Sequence, residues 1–113
     1  MKAVFVELPA FARHRADYLD DDGFGSFQDA LMSPPTAGAP IEGTGGLRKV
    51  RHADRRRGKG KRGGLRVIYN WWEPGAQFWL FTLYDKDEME DLSPSEREAL
   101  KRRLKLDLRE RRK

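Results

Sequence analysis

The segment Leu65–Tyr84, LRVIYNWWEPGAQFWLFTLY, decides the fold of this chain. Its two ends, Leu65–Trp72 and Phe78–Tyr84, are rich in β-branched and aromatic residues, which favour strands. Between them Pro74 and Gly75 fit the middle of a type II turn, where glycine supplies the positive φ. The segment therefore predicts two antiparallel strands. Because both faces of the pair are largely apolar, we expect helices under one face and partial cover on the other.

Two helices are predicted before this pair, behind a first strand over Lys2–Glu7. Pro9 suits the first turn of a helix, and the aspartates at 20–22 end that helix and complement the positive N-terminus of the next one. The apolar residues recur at helical spacing, so we interpret them as core. They are Phe11, Tyr18 and Leu19 in the first helix and Phe24, Phe27 and Leu31 in the second.

A C-terminal helix is predicted behind Ser93, which serves as N-cap with Pro94 at the first position and Glu96 completing a capping box. Ser33–Gly46 is a Pro- and Gly-rich loop, with a brief extended piece near Ile41, and Leu47–His52 is a second strand. The order is β-α-α-β-β-β-α. We predict one α+β domain over residues 1–113, with a small, mainly antiparallel sheet, two N-terminal helices packed on one face and a C-terminal helix.

The positive charge is concentrated between Leu47 and Arg66, LRKVRHADRRRGKGKRGGLR. This block holds ten basic residues and one acid, so its net charge of +9 exceeds the +5 of the whole chain. A solvated loop is one interpretation, but strand-like sequence flanks the block and glycines alternate with lysines inside it. Such a density of charge favours a polyanionic partner, most often nucleic acid.

Composition narrows the function further. The chain has no cysteine and two histidines, which argues against a disulfide framework, thiol catalysis and a zinc site. No apolar run approaches the roughly 20 residues that span a bilayer, and the N-terminus does not resemble a signal peptide. We therefore expect a cytoplasmic protein without cofactor, metal or membrane contact.

Strand alternation predicts which basic side chains share a face of the sheet. Lys49 and Arg51 point one way, and Arg48, Val50 and His52 point the other. If the strands are in suitable register, one face collects a cationic cleft with a phenol at its rim. Its members are Lys49, Arg51, Arg66, Tyr84 and Lys86.

This cleft suits RNA cleavage through the ribose 2′-hydroxyl. The reaction needs a base for the 2′ proton, cations for the pentacoordinate phosphorane and a donor for the leaving 5′ oxygen. The planar fork of arginine holds two phosphate oxygens, and a lysine or tyrosine among cations loses its proton more readily. The remaining basic residues are predicted to bind RNA or the ribosome. They are Arg48, Arg55, Arg56, Arg57, Lys59 and Arg62 in the block and Arg102 and Arg103 on the C-terminal helix.

Four features occur in order along nearly the whole chain: GTGGLRKVR, GKGKRGGLRVIYNWW, FTLYDKDEMEDLS and the helical tail. In this combination they resemble the HigB-type branch of the RelE superfamily, the toxins of bacterial type II toxin–antitoxin pairs. The resemblance implies an mRNA interferase that enters the ribosomal A site and cuts translated mRNA without a metal. It also implies a HigA-like helix-turn-helix antitoxin, through which the complex contacts its operator DNA.

The resemblance carries several site residues over by position. The basic pair of the second strand falls on Lys49 and Arg51, the arginine of the third strand on Arg66, and the glycine-flanked lysines on Lys59 and Lys61. The founding pattern has a further arginine and a tyrosine near the C-terminal end of the site, where this chain has DKDEMEDLS. The general base therefore stays open among Lys49, Lys61, Tyr84 and His52.

Two other functions fit the same composition. A non-catalytic module that binds RNA or the ribosome would use the same basic surface, and only the ordered motifs favour the nuclease over it. A DNA-binding repressor is disfavoured because no helix-turn-helix is recognisable and the charge lies on strands and a loop.

Overall fold

The computed structural model describes residues 2–53, 64–86 and 91–111. These residues contain three α-helices and five strands. A short 3₁₀ turn was not predicted, a two-residue strand lies next to the position expected for a brief extended piece, and the other elements follow the predicted order. The elements are β1 (Val4–Glu7), α1 (Pro9–Tyr18), α2 (Asp21–Leu31), β2 (Ala39–Pro40), β3 (Arg48–His52), β4 (Leu65–Trp72), a 3₁₀ turn (Glu73–Gly75), β5 (Gln77–Asp85) and α3 (Pro94–Arg111).

The strands form one sheet in the order β1-β5-β4-β3-β2. All neighbouring pairs are antiparallel except β1 and β5, which run parallel. β4 and β5 lie at the centre, as expected for the two most apolar strands. The predicted α+β class with a mainly antiparallel sheet is confirmed, and the brief extended piece expected near Ile41 is β2, directly before it.

The two faces of the sheet are covered by different helices. Phe11 and Leu19, from α1 and its end, and Phe27 and Leu31 from α2 pack with Val67 and other residues of β4 and β5 in one cluster. On the opposite face, Leu104 of α3 packs in a second cluster with Leu92, Ile68, Phe81 and Tyr84. This division explains why β4 and β5 are apolar on both sides, because each face of the sheet packs in its own hydrophobic cluster.

A bulge in β5 decides which side chains reach the α3 face. Ile68 pairs with Thr82 while Tyr69 pairs with Leu80, so Phe81 is an extra residue between the two pairs. An extra residue reverses the alternation of side chains beyond it. Leu80 therefore packs with α1 and α2, whereas Phe81 and Tyr84 pack under α3.

The turn between β4 and β5 differs from the predicted type II turn. Glu73–Gly75 forms a 3₁₀ turn, and the left-handed residue is Ala76, with φ 49° and ψ 51°. Gly75 is required for space instead, because a Cβ there would lie 2.5 Å from Cζ3 of Trp72. The turn position was correct and the predicted conformation was wrong.

Both predicted starts of the later helices are confirmed. The Asp20 carboxylate accepts a hydrogen bond from the Gly23 amide at 2.7 Å at the start of α2. At α3, the Ser93 amide donates to Glu96 Oε1 at 2.9 Å and the Glu96 amide donates to Ser93 Oγ at 3.2 Å, which is a complete capping box.

The end of α3 is held on the sheet by an arginine. The Arg111 guanidinium lies over the Trp79 ring, with Cζ 3.9 Å from its centroid, and donates to Asn70 Oδ1 at 2.9 Å. Burial lowers the pKa of Arg111, with Asp107 acting in the opposite direction. The cation–π contact and hydrogen bond fix α3 across the face that carries the predicted cleft.

Candidate nucleic-acid interface

Three polar side chains stand in one row across the centre of the sheet. Arg51 of β3 lies directly opposite Arg66 of β4, and Arg66 lies directly opposite Tyr84 of β5. Lys49 lies opposite Ile68, two residues further along β3 on the same face. Because Ile68 and Tyr84 pack under α3, this is the α3 face. Alternation therefore predicted the convergence of these four residues correctly, and their chemical roles stay predictions.

Lys86 lies just beyond the row. Its backbone N–H donates to the Gly64 carbonyl at 3.2 Å, which continues the pairing of β4 and β5 by one step past Asp85. The residue is exposed. The structure thus places Lys86 at the end of the hairpin, at the same end as Arg66 and Tyr84.

Arg66 is buried within this row, with 4% of its surface exposed. Its Nη1 donates to the Leu65 carbonyl at 3.2 Å. Burial lowers the pKa of Arg66, and repulsion from Arg51 lowers it further, while Tyr84 and Asp85 act in the opposite direction. Burial and the neighbouring Arg51 therefore disfavour the charge of Arg66, whereas Tyr84 and Asp85 favour it.

Tyr84 is also buried, and its hydroxyl has no hydrogen-bond partner within the described residues. Burial raises the pKa of this phenol, the Asp91 carboxylate raises it further, and Arg66 offsets only part of the shift. Arg66 and Arg97 lower the pKa of Tyr84, as expected for cations beside a phenol, but burial and the carboxylates of Asp91 and Glu96 outweigh them. A neutral phenol with an unused O–H is better suited to donate a hydrogen bond than to take a proton.

The cleft also contains a carboxylate, Asp91, and an arginine, Arg97, which the sequence analysis did not predict. Asp91 Oδ1 lies 3.4 Å from Lys49 Nζ, and Asp91 Oδ2 lies 3.4 Å from Arg97 Nη2. Asp91 Oδ1 also accepts the Leu92 amide at 2.7 Å. That hydrogen bond is the main cause of the lowered pKa of Asp91, and Lys49 and Arg97 add to it. In the sequence, Asp91 is recognisable as an acid close to the capping Ser93. Its ion pair with Lys49, 42 residues away, has no sequence signal.

Two candidate residues lie on the opposite face of the sheet. Arg48 pairs with Tyr69, and its Nη1 donates to the Gly38 carbonyl at 2.7 Å and the Thr36 carbonyl at 3.3 Å. His52 meets the Phe27 ring edge-on at a centroid distance of 5.4 Å. The sheet separates both from Arg66, as alternation predicted. His52 is therefore not placed to serve as base at this cleft, and Arg48 contacts the loop between α2 and β2.

The remaining predicted residues divide into two groups. Arg102 and Arg103 are exposed on α3, and Arg103 Nε lies 3.3 Å from Asp107 Oδ1. The other group lies outside the described residues, so the structure does not place it relative to the cleft. It consists of Arg55, Arg56, Arg57, Lys59, Lys61 and Arg62.

Residues 2–53, 64–86 and 91–111 contain neither a cluster of metal-ligating side chains nor a membrane-spanning helix. Within these ranges, no three His, Cys, Asp or Glu side chains are grouped so that they could hold a metal ion. None of the described helices is both long and apolar enough to span a bilayer.

Comparison with known proteins finds solved structures of similar fold. No protein-family profile matches the sequence. The structure is similar to that of a double arginine-to-alanine mutant of the Escherichia coli toxin RelE in the free state, with a TM-score of 0.55 and 11% sequence identity. The match covers 80% of this chain and 90% of the RelE chain. The chain therefore has a fold like that of the toxin RelE.

Proposed function

We propose that this protein is the HigB-type toxin of a type II toxin–antitoxin pair, an endoribonuclease that cuts mRNA on the ribosome and so inhibits translation. The observation that carries the proposal is the row Arg51–Arg66–Tyr84, fixed by strand register on one face of the sheet. The RelE-like fold and the ordered sequence motifs support it. Within the row, the exposed Arg51 is the guanidinium that a phosphodiester reaches from solvent, and Arg66 and Tyr84 lie buried beside it.

The proposed reaction is an internal displacement at phosphorus. The ribose 2′ oxygen attacks and forms a new P–O bond, the bond to the 5′ oxygen breaks, and a 2′,3′-cyclic phosphate and a 5′-hydroxyl result. Arg66 and Arg51 stabilise the extra charge of the phosphorane. The raised pKa of Tyr84 keeps its proton available, so its phenol is assigned as hydrogen-bond donor to the phosphoryl group or leaving oxygen. Lys49 and Lys61 remain the candidates for the base.

In this proposal the ribosome positions the mRNA for a protein that has few acid–base groups of its own. The described residues at the cleft offer cations and a phenol but no histidine, because His52 lies on the other face. Holding mRNA in an in-line geometry lowers the barrier by several kcal/mol on the scale known for oriented reactants. The block Leu47–Arg66 and the exposed Arg102 and Arg103 are proposed to dock on ribosomal RNA. The proposed partner that inhibits the protein is a HigA-like helix-turn-helix antitoxin, in the cytoplasm.

One pair of observations favours a second function, a non-catalytic module that binds RNA or the ribosome. Arg66 is 4% exposed and the pKa of Tyr84 is raised rather than lowered. Both are compatible with a binding surface that does no chemistry. The two functions differ in the fate of the mRNA.

The deciding experiment expresses the protein in a bacterium and maps the ends of a translated reporter mRNA by primer extension. The nuclease produces new ends inside the translated region, and Arg66→Ala removes them while the variant still sediments with ribosomes. Arg13→Ala is the control and should keep full activity, because it removes one exposed arginine from α1, on the face of the sheet opposite the cleft. Growth arrest with intact mRNA would instead show the binding module.

A further inference from the structure

One carboxylate holds two cations at the edge of the cleft. Asp91 lies 3.4 Å from both Lys49 Nζ and Arg97 Nη2, and the three side chains are 48%, 31% and 43% exposed, respectively. All three are therefore reachable by a ligand from solvent. Lys49 lies on the same face as the row Arg51–Arg66–Tyr84, whereas Arg97 comes from the first turns of α3 and has no role in the proposed chemistry.

The contacts of Asp91 with these cations are loose. Charge-assisted hydrogen bonds are typically about 2.7–2.9 Å, so 3.4 Å is long, and exposed ion pairs contribute little to stability. The tight contact of Asp91 is the 2.7 Å hydrogen bond from the Leu92 amide, which does not involve either cation. The hydrogen bond from the Leu92 amide thus holds Asp91 just before α3 when Lys49 and Arg97 bind another anion.

Arg97 has donor capacity that Asp91 does not use. Its contact with the carboxylate runs through Nη2, and its Nε is buried, so the exposed Nη end of the guanidinium is the part that meets a ligand from solvent. A guanidinium binds phosphate best through two parallel N–H groups. A phosphodiester has two non-bridging oxygens and can take up the donors of Arg97 and the ammonium of Lys49 together.

We propose that Lys49 and Arg97 form a binding subsite for a second backbone phosphodiester of the RNA, and that Asp91 is the internal counter-ion of this subsite in the free protein. The inference rests on the proposed function, extends its substrate contacts by one nucleotide and assigns Lys49 to phosphate binding, which leaves Lys61 as the candidate for the base. Lys49 and Arg51 are two residues apart on β3, which is about 7 Å along a strand. That spacing is comparable to the distance between successive phosphates of a single strand.

The proposal predicts that removing the negative charge strengthens binding. Asp91→Asn keeps an oxygen for the Leu92 amide and removes the charge that competes with phosphate. Affinity for a single-stranded oligonucleotide should then rise about 3- to 10-fold at low salt. The slope of log K against log salt should become steeper by about 0.7, the amount for one phosphate of a single strand. A purely structural role of Asp91 predicts the opposite, since a loosened site binds more weakly.

The probe is a short single-stranded oligonucleotide with 2′-deoxyribose, which the 2′-hydroxyl reaction cannot cleave. Binding is measured by fluorescence anisotropy over a salt series for the full chain, Asp91→Asn and Arg97→Gln. Asp17→Asn is the control, because it removes the same charge from an exposed position on α1. Thermal unfolding by circular dichroism checks each variant.

Tighter binding and a steeper slope for Asp91→Asn, with Asp17→Asn unchanged, support the subsite, as do weaker binding and a shallower slope for Arg97→Gln. Equal or weaker binding by a folded Asp91→Asn overturns it. If Asp91→Asn fails to fold, Arg97→Gln decides, and unchanged binding by that variant overturns the subsite. Failure of the unaltered protein to bind the probe or ribosomes would instead count against the proposed function.

Discussion

Arg66 and Tyr84 are direct cross-strand partners in the antiparallel pair of β4 and β5, on the face that α3 covers. Such partners have Cβ atoms about 4.5–5.5 Å apart, so strand pairing makes the two side chains neighbours. Arg66 makes the phenol more acidic, but burial and Asp91 outweigh it. The cleft is therefore built on the two central strands of the sheet, and because Arg66 and Tyr84 are buried, each variant is checked for folding as well as for cleavage.

Arg66→Ala should reduce mRNA cleavage by about 10²-fold or more, the scale for losing one donor that stabilises transition-state charge. Cleavage by a translating extract and growth arrest on expression both measure this loss. Arg66→Lys should restore only part of the activity, because an ammonium lacks the planar fork. A folded Arg66→Ala protein with full toxicity would remove Arg66 from the mechanism.

Tyr84→Phe and Tyr69→Phe should have opposite effects. The Tyr84 hydroxyl has no partner within the described residues, so its removal should leave the free energy of unfolding within about 0.5 kcal/mol of the original or raise it. Cleavage should nevertheless fall, by about 10-fold or more if the phenol donates in the reaction. Denaturant unfolding and cleavage rates are measured on the same preparations.

The matched variant, Tyr69→Phe, removes a hydroxyl that accepts from the Gly38 amide at 3.0 Å and donates to the Pro35 carbonyl at 2.8 Å. It should cost about 1–3 kcal/mol of stability, because it leaves both groups unpaired. The folded variant should cleave normally, since Tyr69 lies on the α1–α2 face. Loss of stability without loss of activity in Tyr84→Phe would contradict the assignment of its hydroxyl.

The sequence predicted the cleft as far as strand alternation reaches. Lys49, Arg51 and Arg66 followed from parity along β3 and β4, and the bulge at Phe81 left the shared parity of Thr82 and Tyr84 intact. The bulge itself was invisible, because alternation carries no sign of an extra residue. The ion pairs of Asp91 were missed for a related reason, since they join residues far apart in the chain. The predicted type of the turn before β5 was wrong, because a Pro-Gly pair does not specify which residue takes positive φ.

Stability should fall as the pH rises above about 10, the ordinary pKa of tyrosine. Burial raises the pKa of both Tyr69 and Tyr84. Between the ordinary and the raised pKa, the folded protein retains protons that the unfolded chain releases, so the free energy of unfolding decreases with pH. Denaturant unfolding across this range measures the slope. The double variant Tyr69→Phe/Tyr84→Phe should have a flatter slope, and an unchanged slope would show that these phenols are not responsible.

The basic block should act through phosphate charge. Replacing Arg55, Arg56 and Arg57 together with glutamine should weaken ribosome binding and make its salt dependence shallower by up to about 0.7 per lost phosphate contact. Once the variant is bound, cleavage should change little, because these arginines precede the glycine-flanked lysines. Sedimentation with ribosomes at several salt concentrations measures the effect. Normal binding with an unchanged slope would make this segment a solvated loop only.

The central claim is cleavage by the ribose 2′-hydroxyl on the ribosome, and the chemistry of the product ends tests it most directly. Purified protein is incubated with one mRNA, either free or on translating ribosomes, and the termini of both fragments are identified enzymatically. We expect little cleavage of free RNA, and on ribosomes an upstream fragment ending in 2′,3′-cyclic or 3′-phosphate with a downstream 5′-hydroxyl. Efficient cleavage of free RNA only with added magnesium or manganese, leaving 5′-phosphate ends, would contradict the account.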